Sequence, residues 1–226
     1  MAEPGRRVRS WLFAPGHDQK LLARVFECGA DAVLLDLEDA VPPQTKARAR
    51  QLVAEVAAVK RCWVRVNRPS TDACALDLEA LEGKVAGFRL PKVEGAADVA
   101  WVASRAPGIP LDCTIESARG VLNAYEIACA PGCTMLSYGG IDLALDLGVE
   151  GGEAELMYAR SAIVVAARAA GKPPPSDGDV VMAILARKRQ PPIPPSITTP
   201  DALKLKAEPI ADCARYDNLR KGKEAA

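Results

Sequence analysis

Histidine is almost absent from this 226-residue chain, with His17 as its only copy. That nearly excludes zinc sites of the His-rich type and Ser-His-Asp relays, unless His17 itself takes part. Charge imbalance is missing too, since 29 basic residues meet 29 acidic ones. Nothing therefore supplies the broad positive field that a nucleic-acid binder or a protein on an anionic membrane uses. No apolar stretch approaches the roughly 20 residues that span a bilayer, and Met1 to Arg7 is short and polar. A soluble, cytoplasmic protein with neither nucleic-acid nor membrane partners is expected. The seven cysteines (28, 62, 74, 113, 129, 133 and 213) form no CxxC pair and are odd in number, which reads as reduced thiols packed as small hydrophobes.

What is present is periodic. Short apolar runs occupy Val8 to Phe13, Ala32 to Leu35, Cys62 to Val66, Ala86 to Leu90, Leu111 to Ile115 and Cys133 to Ser137. Their starts are separated by roughly 22 to 30 residues, about one strand-plus-helix unit. Each run ends in a polar or charged group or a turn: Pro15-Gly16, Glu38-Asp39, Arg65/Asn67, Lys92, Glu116 and Asp142. In a barrel of parallel strands, side chains at the C-terminal strand ends converge on one face, where active sites sit. The fold expected is a TIM (β/α)8-type barrel, incomplete in that an eighth strand is not evident.

Between the runs, the apolar spacing predicts helices. Asp18 is placed to cap one that carries Leu21, Leu22, Val25 and Phe26 and ends at Gly29. A second is expected from about Gln44 to Val59 with Leu52, Val53, Val56 and Val59 facing inward, and others near Leu76 to Leu81, Ala96 to Ser104, Ala118 to Ala128 and Glu153 to Ala170. Residues 173–177 read as a short seventh strand and its loop, and Val180 to Lys188 as a helix. Five prolines between Pro191 and Pro200 forbid a regular helix or central strand there. The expected division is a barrel domain over 1–178 and a Pro-rich C-terminal segment over 179–226.

Glu116 and Asp142 follow neighbouring runs, so their side chains are placed to converge on one divalent cation. Two carboxylates, with water and substrate completing the shell, suit magnesium better than zinc or copper. The competing reading is that both residues cap helices and hold no metal. Arg65 lies within an otherwise apolar strand, where a guanidinium requires a partner. That partner is either an acid such as Asp36 or Glu38, or the carboxylate of a bound substrate.

Six ordered motifs make the text specific. They are Arg9-Ser10-Trp-Leu-Phe-Ala-Pro15-Gly16, Gly29-Ala-Asp-Ala-Val-Leu-Leu-Asp36-Leu-Glu38-Asp39, Val64-Arg65-Val66-Asn67, Leu90-Pro91-Lys92, Ile115-Glu116-Ser-Ala-Arg119-Gly120 and Tyr138-Gly139-Gly140-Ile-Asp142-Leu. Together, from Arg9 to Asp177, they resemble the citrate lyase β-subunit-like CoA-ester lyases of the HpcH/HpaI aldolase/citrate lyase family. The resemblance implies a magnesium-dependent lyase that cleaves a citryl-, malyl- or citramalyl-type CoA thioester into an acyl-CoA and a 2-keto acid. By position, Glu116 and Asp142 look like the metal ligands, and Glu38 and Asp39 like acids that hold metal-bound waters. Arg65 looks like the clamp on the keto-acid carboxylate. The amides of Gly139 and Gly140 would line the substrate, and Lys92 would lie near the substrate or CoA.

Family members usually continue for another 50 or more residues, through an Ile-His-Pro motif and a segment that reaches over a neighbouring subunit. This text is missing here, and Asp201, Glu208 and Asp212 match no motif. A homo-oligomer, trimer or larger, is expected, because open strand edges need cover. Three explanations stand side by side: a short member completed by its partner, a sequence altered near Asp177, or a protein without lyase activity. Malyl-CoA thioester hydrolysis and a metal- and keto-acid-binding subunit are the alternative functions. A histidine-dependent aldolase fits less well, because Asp36-Leu-Glu38-Asp39 stands where those relatives place a histidine.

Overall fold

Continuous apolar runs become parallel strands because both faces of such a strand are covered, one by helices and one by the opposite wall. A computed structural model describes residue 8, residues 11–173 and the backbone of 176–177. Its strands are β1 (Trp11–Pro15), β2 (Ala32–Asp36), β3 (Trp63–Arg65), β4 (Gly87–Leu90), β5 (Leu111–Ile115), β6 (Cys133–Tyr138) and the two-residue β7 (Ser176–Asp177). They pair in sequence order, all in parallel. Six strands and a two-residue seventh thus form one parallel α/β sheet. Among the described residues no pairing joins it back to β1, so it is unclosed.

The helices are α1 (Gln19–Arg24), α2 (Lys46–Ala57), α3 (Asp72–Ala80), α4 (Ala96–Arg105), α5 (Ala118–Leu122), α6 (Ala124–Cys129), α7 (Gly140–Leu147) and α8 (Glu153–Ala169). Leu34, Leu35, Val64, Leu90, Cys113 and Ile115 are completely buried, each large aliphatic contributing about 2 kcal/mol through its removal from water. No described helix is long and apolar enough to cross a membrane. The six described cysteines are free thiols. Burial pushes those of Cys62 and Cys74 up to about 12, as inert packing residues require; Cys213 lies outside the described residues.

Several elements differ from expectation. Strand β1 runs on to Pro15, since among the described residues its sheet neighbour is β2 alone and a proline without N–H is tolerated on an edge strand. Helix α2 stops at Ala57 and Val59 is 78% exposed, because the amides of Val59 and Lys60 fold back onto Val56 O and turn the chain toward β3. Helix α3 starts earlier than the apolar spacing indicated, capped by Thr71, whose Oγ1 accepts from the Cys74 amide at 3.2 Å. The helix expected over Ala118 to Ala128 is broken at Asn123, whose Nδ2 donates to Glu94 O at 2.8 Å. Helix α7 is an addition: Asp142 lies in its first turn rather than directly on the strand end. Asp18 does cap α1, accepting from the Lys20 and Leu21 amides. The domain boundary at 178, the helix over 180–188, the proline-rich stretch, Asp201, Glu208 and Asp212 lie outside the described residues.

Candidate active site

Register sets the chemistry. Asp36, Arg65, Arg89 and Asp112 are successive partners across β2, β3, β4 and β5, so their side chains share one face in the charge order minus, plus, plus, minus. Each guanidinium turns to the acid on its own flank. Arg65 Nε and Nη2 donate to the two Asp36 oxygens at 2.8 and 2.6 Å, and Arg89 Nε donates to Asp112 Oδ2 at 2.7 Å. Ser137 Oγ reaches both Asp112 oxygens, at 2.8 and 2.9 Å. The Phe13 ring lies close to both like charges, 5.5 Å from the Arg65 guanidinium carbon and 5.3 Å from that of Arg89. The strand arginine therefore has a carboxylate partner within the protein, the first of the two partners its sequence position allowed.

Asp36 is buried and also accepts the amides of Glu38 (2.9 Å) and Ala40 (3.2 Å). Burial favours its protonated form, but Arg65 and those two amides outweigh it and hold the carboxyl below its ordinary value. The same pairing outweighs the desolvation of Arg65 and keeps the guanidinium charged. Its third nitrogen, Nη1, lies 3.1 Å from Glu38 Oε2. That contact is out of line for a hydrogen bond, so the buried Glu38 Oε2 has no donor. Burial raises the Glu38 carboxyl above its ordinary value, with Arg65 and Lys92 acting in the opposite direction.

Lys92 stands at the centre of the acids. Its Nζ is 2.8 Å from Glu38 Oε1, 3.2 Å from Asp39 Oδ2 and 4.0 Å from Asp142 Oδ2. Its amide donates to Glu116 Oε1 at 2.7 Å. Glu116 therefore caps no helix; the cap of α5 is Ser117, whose Oγ accepts from the Gly120 amide at 3.1 Å. Burial, reinforced by the charges of Asp142 and Glu38, pushes the Glu116 carboxyl up to about 7. Asp142 makes no cap either, because the N-cap of α7 is Gly139, which offers no side chain.

Gly139 plays a different part from the one its motif suggested. Its N–H donates to Ile115 O at 3.1 Å. A Cβ here would run into Glu116 Oε2 and lie 2.8 Å from Glu116 Cβ. The residue is glycine to leave room for that carboxylate. At Gly140 a Cβ would meet the Tyr138 ring at 2.9 Å.

Some supporting residues were not singled out from sequence. Lys46 opens α2, where a cation opposes the helix dipole, and its Nζ instead donates to Leu37 O at 2.7 Å, Glu38 O at 2.9 Å and Asn67 Oδ1 at 2.5 Å. Asp77 accepts the Asn67 amide at 2.9 Å and side chain at 2.6 Å, and pairs with Arg50 at 2.8 Å. Together they tie the segment after β2 to the segment after β3. A lysine in the first turn of a helix is a signal that sequence could carry; the Asp77 hook has none. His17 is half-buried in the turn before α1, where it lines a hollow with Asp18, Lys20 and Arg48.

Five carboxylates (Asp36, Glu38, Asp39, Glu116 and Asp142) thus face two cations, Arg65 and Lys92. No three His, Cys, Asp or Glu side chains among the described residues form a ready-made metal cage. Hard oxygen donors with surplus negative charge, and a cradle at Gly139 that keeps Glu116 in place, fit a magnesium ion that takes two protein ligands and keeps waters.

The family model for HpcH/HpaI aldolase/citrate lyase matches residues 9–173. The chain belongs to that family. Among its relatives, a (3S)-malyl-CoA thioesterase of Cereibacter sphaeroides is 40% identical over 154 residues, 66% of this chain and 54% of the relative. A citrate lyase subunit beta-like protein of Deinococcus radiodurans is 35% identical over 76% of this chain and 66% of its own length. A solved citrate lyase beta subunit from M. tuberculosis, complexed with oxaloacetate and magnesium, is 32% identical with a TM-score of 0.65, covering 73% of this chain and 76% of that one. The family's sheet curves in the TIM-barrel manner, as expected from the strand pattern. The chain spans about half, 54%, of the length of the thioesterase relative.

Proposed function

We propose that this chain carries the strand-end half of a magnesium-dependent site that cleaves a 3-hydroxyacyl-CoA thioester into an acyl-CoA and a 2-keto acid. The observation that carries this reading is the gathering of five acids around Arg65 and Lys92, with Arg65 Nη1 and Asp142 left least committed. Glu116 and Asp142 would hold the magnesium. When bound it supplies Lewis acidity, polarising the hydroxyl and adjacent carboxylate of the thioester.

Arg65, its orientation set by Asp36 and Phe13, presents Nη1 to the substrate carboxylate and so selects 2-keto acids over simple ketones. Cleavage moves the hydroxyl proton to a base, converts C–O to C=O and passes the C–C electron pair into a thioester enolate, which then takes a proton on carbon. Glu38 suits the base, since its Oε2 lacks a donor and burial raises its proton affinity. Asp39, exposed beside Lys92, would hold a water at the mouth of the site. Lys92 sits where a substrate or CoA oxygen would approach. A homo-oligomer, trimer or larger, would supply cover for the open sheet edges.

A second reading, hydrolysis of a malyl-CoA-type thioester, is favoured by the likeness to the Cereibacter thioesterase. One experiment separates the readings: the full chain is incubated with Mg2+ and citryl-, malyl- or citramalyl-CoA while keto acid and free thiol are both followed. Keto acid without thiol supports the lyase. Thiol with hydroxy acid supports hydrolysis. Neither product, where a full-length relative reacts, defeats both and favours a metal- and keto-acid-binding subunit.

A further inference from the structure

Lys92 combines a fixed backbone with a movable charge. Its φ of +54° lies in the left-handed region that side chains with a Cβ seldom adopt. The backbone there is held by its N–H to Glu116 Oε1 at 2.7 Å and by the Val93 amide on Thr114 O at 3.3 Å. Beyond Cβ, three methylenes lead to an ammonium that is not sealed in, for the side chain keeps 35% of its exposure. That ammonium lies within 4.0 Å of Glu38, Asp39 and Asp142.

We propose that Lys92 is a displaceable internal counter-ion: its ammonium neutralises Glu38, Asp39 and Asp142 in the metal-free chain and swings outward when a divalent cation enters. The idea rests on the reading that Glu116 and Asp142 hold magnesium. Burial disfavours the charged amine, but Glu38 and Asp39 outweigh it and raise its pKa, so Lys92 is a cation at every pH of interest and does not vacate the site by losing a proton. A magnesium ion takes its oxygen ligands at about 2.0–2.1 Å. On Asp142 it would therefore stand only a few ångströms from the ammonium, and the two positive charges repel. The backbone bond to Glu116 is untouched by this movement, so one residue keeps a metal ligand aimed while its side chain yields. Released, the ammonium becomes available to an anionic group of the substrate at the moment the metal is in place.

The test is calorimetric titration of Mg2+ into the full-length wild-type chain, Lys92→Met and Lys92→Arg. Methionine keeps the stem and the backbone amide but removes the competing charge, so it should bind Mg2+ about tenfold more tightly. Arginine keeps the charge and should bind as wild type does. A wild type that binds Mg2+ alongside a Lys92→Met variant that binds it equally or more weakly overturns the inference and leaves the magnesium reading standing. Absence of Mg2+ binding in all three overturns both. Should Lys92→Met fail to fold, the 15N spectrum of lysine ammonium groups in the wild type decides. The Lys92 signal, assigned by its loss in Lys92→Arg, should be present without metal and lost or shifted on Mg2+ saturation, and an unchanged signal overturns the inference.

Discussion

Glu116 provides a pH signature. Its carboxyl, ordinarily titrating at 4.5, is pushed up to about 7 in the folded, metal-free chain, first by burial and then by Asp142 and Glu38. The gap of about 2.5 between those values corresponds to about 3 kcal/mol. Because the folded state holds the proton more tightly than the unfolded one, this contribution is fully present below pH 4.5 and lost as the pH rises through 7. Glu116→Gln is the matched variant: its amide oxygen still accepts from the Lys92 N–H but does not titrate. Urea denaturation in EDTA at several pH values between 4 and 8.5, for both proteins, gives the difference curve. Wild-type stability should fall relative to Glu116→Gln by about 3 kcal/mol across that window, most steeply between pH 5 and 7, with Mg2+ restoring part of the loss at high pH. Two parallel curves would refute the claim that this carboxyl is desolvated beside other acids.

Arg65→Lys removes the forked bond to Asp36 and the planar Nη1 donor, and should weaken oxaloacetate binding by roughly 10- to 100-fold in calorimetry with the fold unchanged by circular dichroism. Gly139→Ala forces Glu116 Oε2 aside and should cost about tenfold in Mg2+ affinity; unchanged binding would show that the carboxylate has room to spare. Asp77→Ala leaves the Asn67 amide without its acceptor and Arg50 unpaired, and should lower unfolding stability by about 3 kcal/mol in urea; a loss below 1 kcal/mol would remove Asp77 from its proposed structural role.

The parallel strands were legible because β2 to β6 are short, largely apolar runs recurring between helical segments. What resisted reading depended on register. Asp36 and Arg65 pair because they are partners across β2 and β3, which the sequence alone leaves as one of two options. Arg89 lay hidden within an apolar run for the same reason: its partner Asp112 sits one strand over, 23 residues on. Helix α7 is faint in the sequence because it begins two residues after the strand, and its one clear mark is the stop at Gly148, φ +67°. The motif around Gly139 carries no sign that its N–H is bonded to Ile115 O or that a Cβ there would meet Glu116. Lys92 was legible as a strand-end cation; that three acids surround it depends on side chains more than 45 residues away in the chain coming together in the fold.

The account rests on Glu116 and Asp142 forming one cation site. Its most direct test is Mg2+ titration by calorimetry of the wild-type chain against Asp142→Asn, which keeps the shape of the side chain and removes its charge. One Mg2+ per chain in the wild type, weakened at least tenfold in the variant, is the predicted result; equal binding in both, or none in the wild type, would contradict the account.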